Sequence, residues 1–316
     1  MELRLTTVVV ALALIGFVSS VPTHRSNTHQ NQLNNQLHGQ NTEQEILHLL
    51  KQIDERVKYE VTNEVPAKFT QLVAGLRQLP HNVISSIDRQ VRSSGSFSSR
   101  KIEDIWNDAL IMDASEGSLK LVTRQLLDET VSPARKNYLL TMMAFVDKPS
   151  SGAVRAVLPL LEQTQVPRQA LLGVSALIRN AHYNADVPVK DVQDAVDAIV
   201  KYLKQHESSP DKVVVALKAL NNLHWAVNGQ ALATVAKLAT DSNIQNSVRV
   251  AAMDVLRGQA GEKFVQDKVM SSYFNVQEQS EIRIAAYKVL VAHPDQSVVR
   301  RIIASLRSED NKQGKL

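Results

Sequence analysis

The side chains of this sequence best suited to chemistry are its histidines, and their spacing denies them a common task. His182, His206, His224 and His293 stand far apart, each at or near the end of a predicted helix, where an imidazole caps carbonyls or meets water. His24, His29 and His38 lie in an Asn/Gln-rich stretch with no carboxylate beside them, so a polar linker outweighs a metal site there. No HExxH, GxSxG, glycine-rich phosphate loop or EF-hand loop occurs. The chain has no cysteine, which excludes thiol catalysis and thiolate metal ligation. These absences point away from an enzyme and call for no cofactor and no metal. Trp225 and Tyr202 are suited to lining a hydrophobic groove, with core packing as the default reading for both.

The elements that would position such residues are helices. Aromatics make up only 4% of a chain that is 44% hydrophobic, and Gly and Pro are scarce, a balance that favours helices packed through small residues over sheets. Ile46, Leu49, Leu50, Ile53 and Val57 recur at three and four residues and mark one helical stripe. A second stripe holds Val65, Phe69, Leu72, Val73 and Leu76, and a third runs through Ile84, Ile87 and Val91. The serines and Gly95 of SSGSFSS then predict a linker over residues 93–99. Beyond Arg100 the next stripe places Trp106 on an apolar face, as a core residue. Further helices are predicted to begin near Ser115, Ser132, Ser150, Val166, Pro188, Pro210, Asn228, Ser247, Glu262, Ser280 and Gln296, where Ser, Pro or acidic residues suit helix N-termini. Short connections imply antiparallel neighbours.

Two of these helices are near copies. SVRVAAMDVL from Ser247 and EIRIAAYKVL from Glu281 lie 34 residues apart, a period typical of stacked helical pairs. Weaker echoes begin at Pro133, Pro167 and Lys212. Val248, Ala251, Ala252 and Val255 share a face, and the paired alanines let a neighbouring helix approach closely. Arg249 borders that face, and Arg135, Arg168 and Arg283 recur in comparable positions. All four are expected to pack their stems on the core and bond carbonyls or carboxylates of a neighbouring turn.

Compartment and partners are constrained too. Residues 1–20 read as a secretory signal peptide: Arg4 precedes an apolar run from Leu5 to Val18, about 14 residues against the roughly 20 of a membrane span, and small residues follow at Ser19 and Ser20. No later stretch is apolar and long enough to span a bilayer, so the mature chain is expected to be extracellular. Residues 21–42, rich in Asn, Gln and His, read as a disordered segment. Residues 43–92 read as a helical N-terminal segment and residues 100–313 as one helical superhelix. The formal charge of +4 is modest, and basic residues alternate with acidic ones, which argues against nucleic acid as a partner.

The stretch RAVLPLLEQTQVPRQALLGVSALIRNAHY, from Arg155 to Tyr183, resembles the superhelix of the large lipid transfer proteins, the family of vitellogenins, apolipophorins, apolipoprotein B and the microsomal triglyceride transfer protein. So do VRVAAMDVL from Val248, the run from Glu281 to Gln313, and the Ile-Trp-x-x-Ala-Leu opening at Trp106. The resemblance implies an all-α, HEAT-like α-α superhelix, built as a two-layer right-handed horseshoe, and a role in lipid transport with lipid or lipoprotein as partner. It also implies a short form, because family members carry an N-terminal β-barrel and sheets lining a lipid cavity that this sequence does not supply. Three explanations then stand side by side: a truncated or spliced product, a stand-alone protein that binds lipoproteins or their receptors, or one subunit of a complex whose protein partner provides the missing sheets. The alternative is a secreted helical-repeat scaffold that binds a protein partner or receptor without carrying lipid. The lipid-binding residues themselves stay unassigned.

Overall fold

Fifteen α-helices and no strand make up the described part of the chain. In this computed structural model that part is residues 31–57, 64–93, 95–98 and 101–308. The expected signal peptide and the first ten residues of the polar segment lie outside it. The helices divide between two units, one running up to Val157 and including Tyr183–Asp186, the other comprising Leu158–His182 and the chain from Val187 onward.

The first unit holds α1 (Asn31–Val57), α2 (Glu64–Leu76), α3 (His81–Arg92), α4 (Lys101–Asp113), α5 (Glu116–Leu127), α6 (Pro133–Met143) and α7 (Ala153–Val157). Each helix packs on its successor or the one after, so α2, α4 and α6 form one layer and α1, α3, α5 and α7 the other. The predicted stripes are the core: Ile46, Leu50, Ile53, Phe69, Leu72, Ile84 and Ile87 are buried, and Trp106 is fully enclosed. Sequence sets the helix starts. Ser115 accepts a hydrogen bond from the Ser118 backbone N–H at 3.2 Å and Ser132 from that of Arg135 at 3.3 Å, and Pro133 takes the first helical position of α6, where its missing N–H costs nothing. Helix α7 is only five residues long and tightens into a 3-10 turn at Leu158–Leu160, because Pro159 has no N–H with which to continue the helical ladder.

Two expectations differ from this arrangement. Helix α1 begins at Asn31, so residues 31–42 of the segment read as disordered are helical. Gln is a fair helix former, and once the apolar stripe from Ile46 nucleates the helix, adding residues at its N-terminal end is cheap. The serine-rich segment 93–99 does not separate the units either; its described residues lie inside the first. Buried Asp54 draws it in, accepting hydrogen bonds from both the backbone N–H and the hydroxyl of Ser98 at 2.7 Å.

The second unit holds α8 (Arg168–Asn184, whose last two residues belong to the first unit), α9 (Val189–Gln205), α10 (Pro210–Asn222), α11 (Gly229–Thr240), α12 (Asn246–Arg257), α13 (Lys263–Phe274), α14 (Ser280–Leu290) and α15 (Gln296–Ser308). Within it, α10, α12 and α14 form one layer and α9, α11 and α13 the other. The alanine pairs explain the α10–α12–α14 layer. Ala216, Ala219, Ala251, Ala252, Ala285 and Ala286 are all buried, and such short side chains bring helix axes close.

Candidate functional site

Two of the four repeat arginines occupy one stereotyped position. Arg249, with only 2% of its surface exposed, donates from Nε to the Ala239 carbonyl at 3.3 Å, and Arg283 donates from Nε to the Tyr273 carbonyl at 3.0 Å, each reaching ten residues back to the preceding helix. Arg249 also reaches forward: Nη1 and Nη2 donate to the two carboxylate oxygens of Glu278 at 3.0 and 2.5 Å, a bidentate pair. The guanidinium holds the Glu278 carboxyl below the usual carboxylate range. Arg135 sits 3.1 Å from Asp104 and donates to its carbonyl at 3.0 Å. Arg168 is exposed and lines a groove described below.

Arg135 also faces a buried acid that sequence reading passed over. Asp108, on α4, lies 3.5 Å from the Arg135 guanidinium and accepts a hydrogen bond from the Tyr138 hydroxyl at 3.3 Å. Burial outweighs both and pushes its carboxyl up to about 7. The folded state therefore binds a proton more tightly than the unfolded chain, whose Asp titrates near 3.8. Stability falls as pH rises from about 4 to 7, by on the order of a few kcal/mol. Asp108→Asn, which removes the titration, should flatten that part of the profile and leave the variant more stable than wild type at pH 8. Urea unfolding at pH 4.5 and pH 8 checks this, and an unchanged pH slope would refute it.

Three of the four histidines singled out serve packing, while His293 is exposed. His206 closes the C-terminus of α9, its Nδ1 2.8 Å from the Tyr202 carbonyl and its ring stacked on that of Tyr202. Trp225 stacks on His182 with ring centroids 4.3 Å apart and meets His224 edge-on. Burial holds the His224 imidazole below its ordinary pKa, so it is neutral at pH 7. The backbone of Gly258 runs so close to the His224 ring that any β-carbon there would collide with the imidazole and its own Cβ. Gly258→Ala should cost about 1–3 kcal/mol by overpacking, read as a lowered melting temperature; an unshifted melting curve would show that the ring can yield. No cluster of three metal-ligating side chains occurs among the described residues.

What remains as candidate binding surface is a set of grooves in the second unit. Two adjoining hollows of about 580 and 670 Å³ share Thr164, Val166 and Tyr202, where the segment after Leu160 crosses α9 and α10. Val166, Pro167, Tyr202 and Val215 line the first together with the charged Arg168, Asp211 and Lys212. The second sets Leu161 and Ala198 among Asp194, Asp197 and Lys201. A third, of about 350 Å³, is walled by Leu203, Val213, Leu238, Ile244 and Val248. These volumes fall within the size range of small-molecule sites. The first hollow sets apolar side chains beside charged ones, and the second is lined mainly by polar and charged residues. Tyr202 thus lines a groove, as sequence allowed, while Trp225 is half-buried in its histidine stack. The groove walls had no signature in the sequence, since they combine residues from a loop and two helices.

The class so defined is an all-α protein of stacked helical pairs. The family model of the vitellogenin TPR domain matches residues 40–314, and the chain belongs to that family. Its relatives include an apolipophorin of Locusta migratoria, 27% identical over 79% of this chain, a vitellogenin of Penaeus merguiensis, 26% identical over 85%, and human apolipoprotein B-100, 19% identical over 78%. The chain spans 7%, 11% and 5% of those proteins respectively. A solved structure titled for lipid–protein interactions in lipovitellin shares the fold with a TM-score of 0.66 at 21% identity, covering 94% of this chain and 30% of that one. The match begins at residue 40, so the family's domain takes in the helices before the serine-rich segment as well as those after it.

Proposed function

We propose that this chain is a secreted lipid-transport protein of the vitellogenin and apolipophorin type, acting by binding and not by bond chemistry. The observation that carries this reading is the family match over residues 40–314 on a two-layer helical fold. Support comes from the apolar run Leu5–Val18 between Arg4 and Ser19, which has the length and flanks of a secretory leader. No described helix is long and apolar enough to cross a membrane. Lipid or lipoprotein is the partner this reading requires, and the grooves around Tyr202, which set Val166, Pro167 and Val215 beside Arg168 and Lys212, have the chemistry to accept a lipid's polar end. The test is native mass spectrometry of the protein purified from the medium of secreting cells. Lipid bound at a fixed ratio is expected. A lipid-free protein that captures a single protein partner from extracellular fluid would replace carriage with scaffolding.

A further inference from the structure

The exposed large apolar side chains of the described residues are unevenly placed. Of twelve, six fall between Ile284 and Leu306: Ile284, Tyr287 and Val291 on or just after α14, and Val299, Ile303 and Leu306 on α15. The near copy of α14 within the same unit shows that the repeat does not require this. At the positions corresponding to Ile284, Tyr287 and Val291, α12 has half-buried Val250, buried Met253 and the charged Arg257.

Helix α15 shows what such a face would meet. At 3.6 residues per turn, Val298 and Ile302, both buried, lie on one strip of the helix. Val299, Ile303 and Leu306 line the adjoining strip, each between 37% and 46% exposed. The apolar sector therefore extends well beyond the part the protein covers. Arg300 and Arg307 border the exposed strip on its outer side. Arg301 lies along the covered edge, its guanidinium over the Phe274 ring at 4.7 Å. No Asp or Glu occurs between Gln296 and Ser308; the flanking acids are Asp295, already engaged by Ser297, and Glu309 and Asp310 after the helix.

We propose that α15 docks on an anionic phospholipid surface, its aliphatic strip entering the headgroup boundary and Arg300 and Arg307 meeting the phosphates. An aliphatic strip bordered by arginines on a helix without acids is the pattern of helices that lie in a lipid interface. Charge disfavours the simplest protein occupant: two copies paired through this strip would bring arginine rows together with no carboxylate between Gln296 and Ser308 to receive them. The inference deepens the lipid-transport reading and rests on it, by giving the carrier a way to settle on the membrane or particle with which it exchanges cargo.

The experiment is flotation of the full chain with phosphatidylcholine vesicles, with and without phosphatidylserine, alongside native lipid analysis of the same protein. Wild type should float with the anionic vesicles, weakly with neutral ones, and lose binding in molar salt, where the screening length is about 3 Å. Ile303→Ser with Leu306→Ser should weaken binding at least roughly tenfold, and Arg300→Ala or Arg307→Ala roughly fivefold each, with circular dichroism and native lipid content unchanged. The sites are exposed, so these variants should fold. Equal flotation of all variants overturns the proposal, as does a wild type that carries native lipid yet ignores anionic vesicles, a result that leaves carriage standing. Flotation by a protein with no native lipid keeps the docking surface and removes carriage. Self-association in ultracentrifugation that Ile303→Ser abolishes would assign the strip to a second copy instead.

Discussion

Replacing Arg249 by Met is expected to destabilise the second unit by about 3–5 kcal/mol, the usual consequence of removing one partner from a buried ion pair. The side chain does two jobs at once, satisfying the Ala239 carbonyl and pairing both oxygens of Glu278, whose side chain is itself only 11% exposed. Without the guanidinium that carboxylate must reorient to water or take up a proton. The double variant Arg249→Met, Glu278→Leu should recover part of the loss, because a buried pair replaced by apolar groups often costs little. The pH dependence follows from the depressed carboxyl of Glu278: the pair's stabilisation is complete above the unfolded value of 4.5 and is lost as pH falls through the lower folded value. Wild type and variant should therefore converge in acid. Urea midpoints across pH 3 to 8 decide it, and a gap below about 1 kcal/mol at pH 7, the range of exposed pairs, would sink the argument.

The second large effect is expected at Trp106. Its ring is fully buried, and its indole N–H donates to Asp88 at 2.9 Å, an acid that also receives Arg92 Nε at 2.9 Å. Trp106→Ala should cost about 3–5 kcal/mol through lost contacts and the cavity left behind. Trp106→Phe keeps most of the packing but strips a donor from Asp88, and should cost about 1–3 kcal/mol. Near-equal losses in the two variants would show that the hydrogen bond, and not the ring's volume, holds α3 to α4. Near-UV circular dichroism and thermal unfolding of both report the outcome.

These residues also mark how far sequence reading reached. Trp106 was legible because its neighbours Ile102, Ile105 and Leu110 recur on one helical face. Asp88 and Asp108 were not, since an acid on a helix reads as solvated until its partners on other helices are known. The helices from Ser115 onward start within about three residues of their predicted positions, because capping serines and first-turn prolines are local signals. The division after Val157 left no such trace: it falls in the apolar Val157-Leu158-Pro159, whereas the serine cluster that looked like a boundary is tied to Asp54. Arg249 and Arg168 looked equivalent in sequence and differ in the fold, one enclosed between helices and the other on a groove rim, because burial of an arginine depends on whether a neighbouring carbonyl and carboxylate converge on it. The grooves around Tyr202 depend on three separated segments meeting, which no periodicity encodes.

The reach of Arg249 has a mechanical corollary. A single planar group is fastened to the end of one helix behind it and to the turn leading into another ahead of it, so flexing α11 against α14 would have to strain the three hydrogen bonds of one rigid fork. A stack pinned in this way resists bending at that rung as a clamped beam does. The rung at Arg168 is fastened differently: Arg168 itself is exposed beside the grooves, and Arg179 on the same helix holds α8 to α10 by a single bond, its Nη1 donating to Asn222 at 3.0 Å.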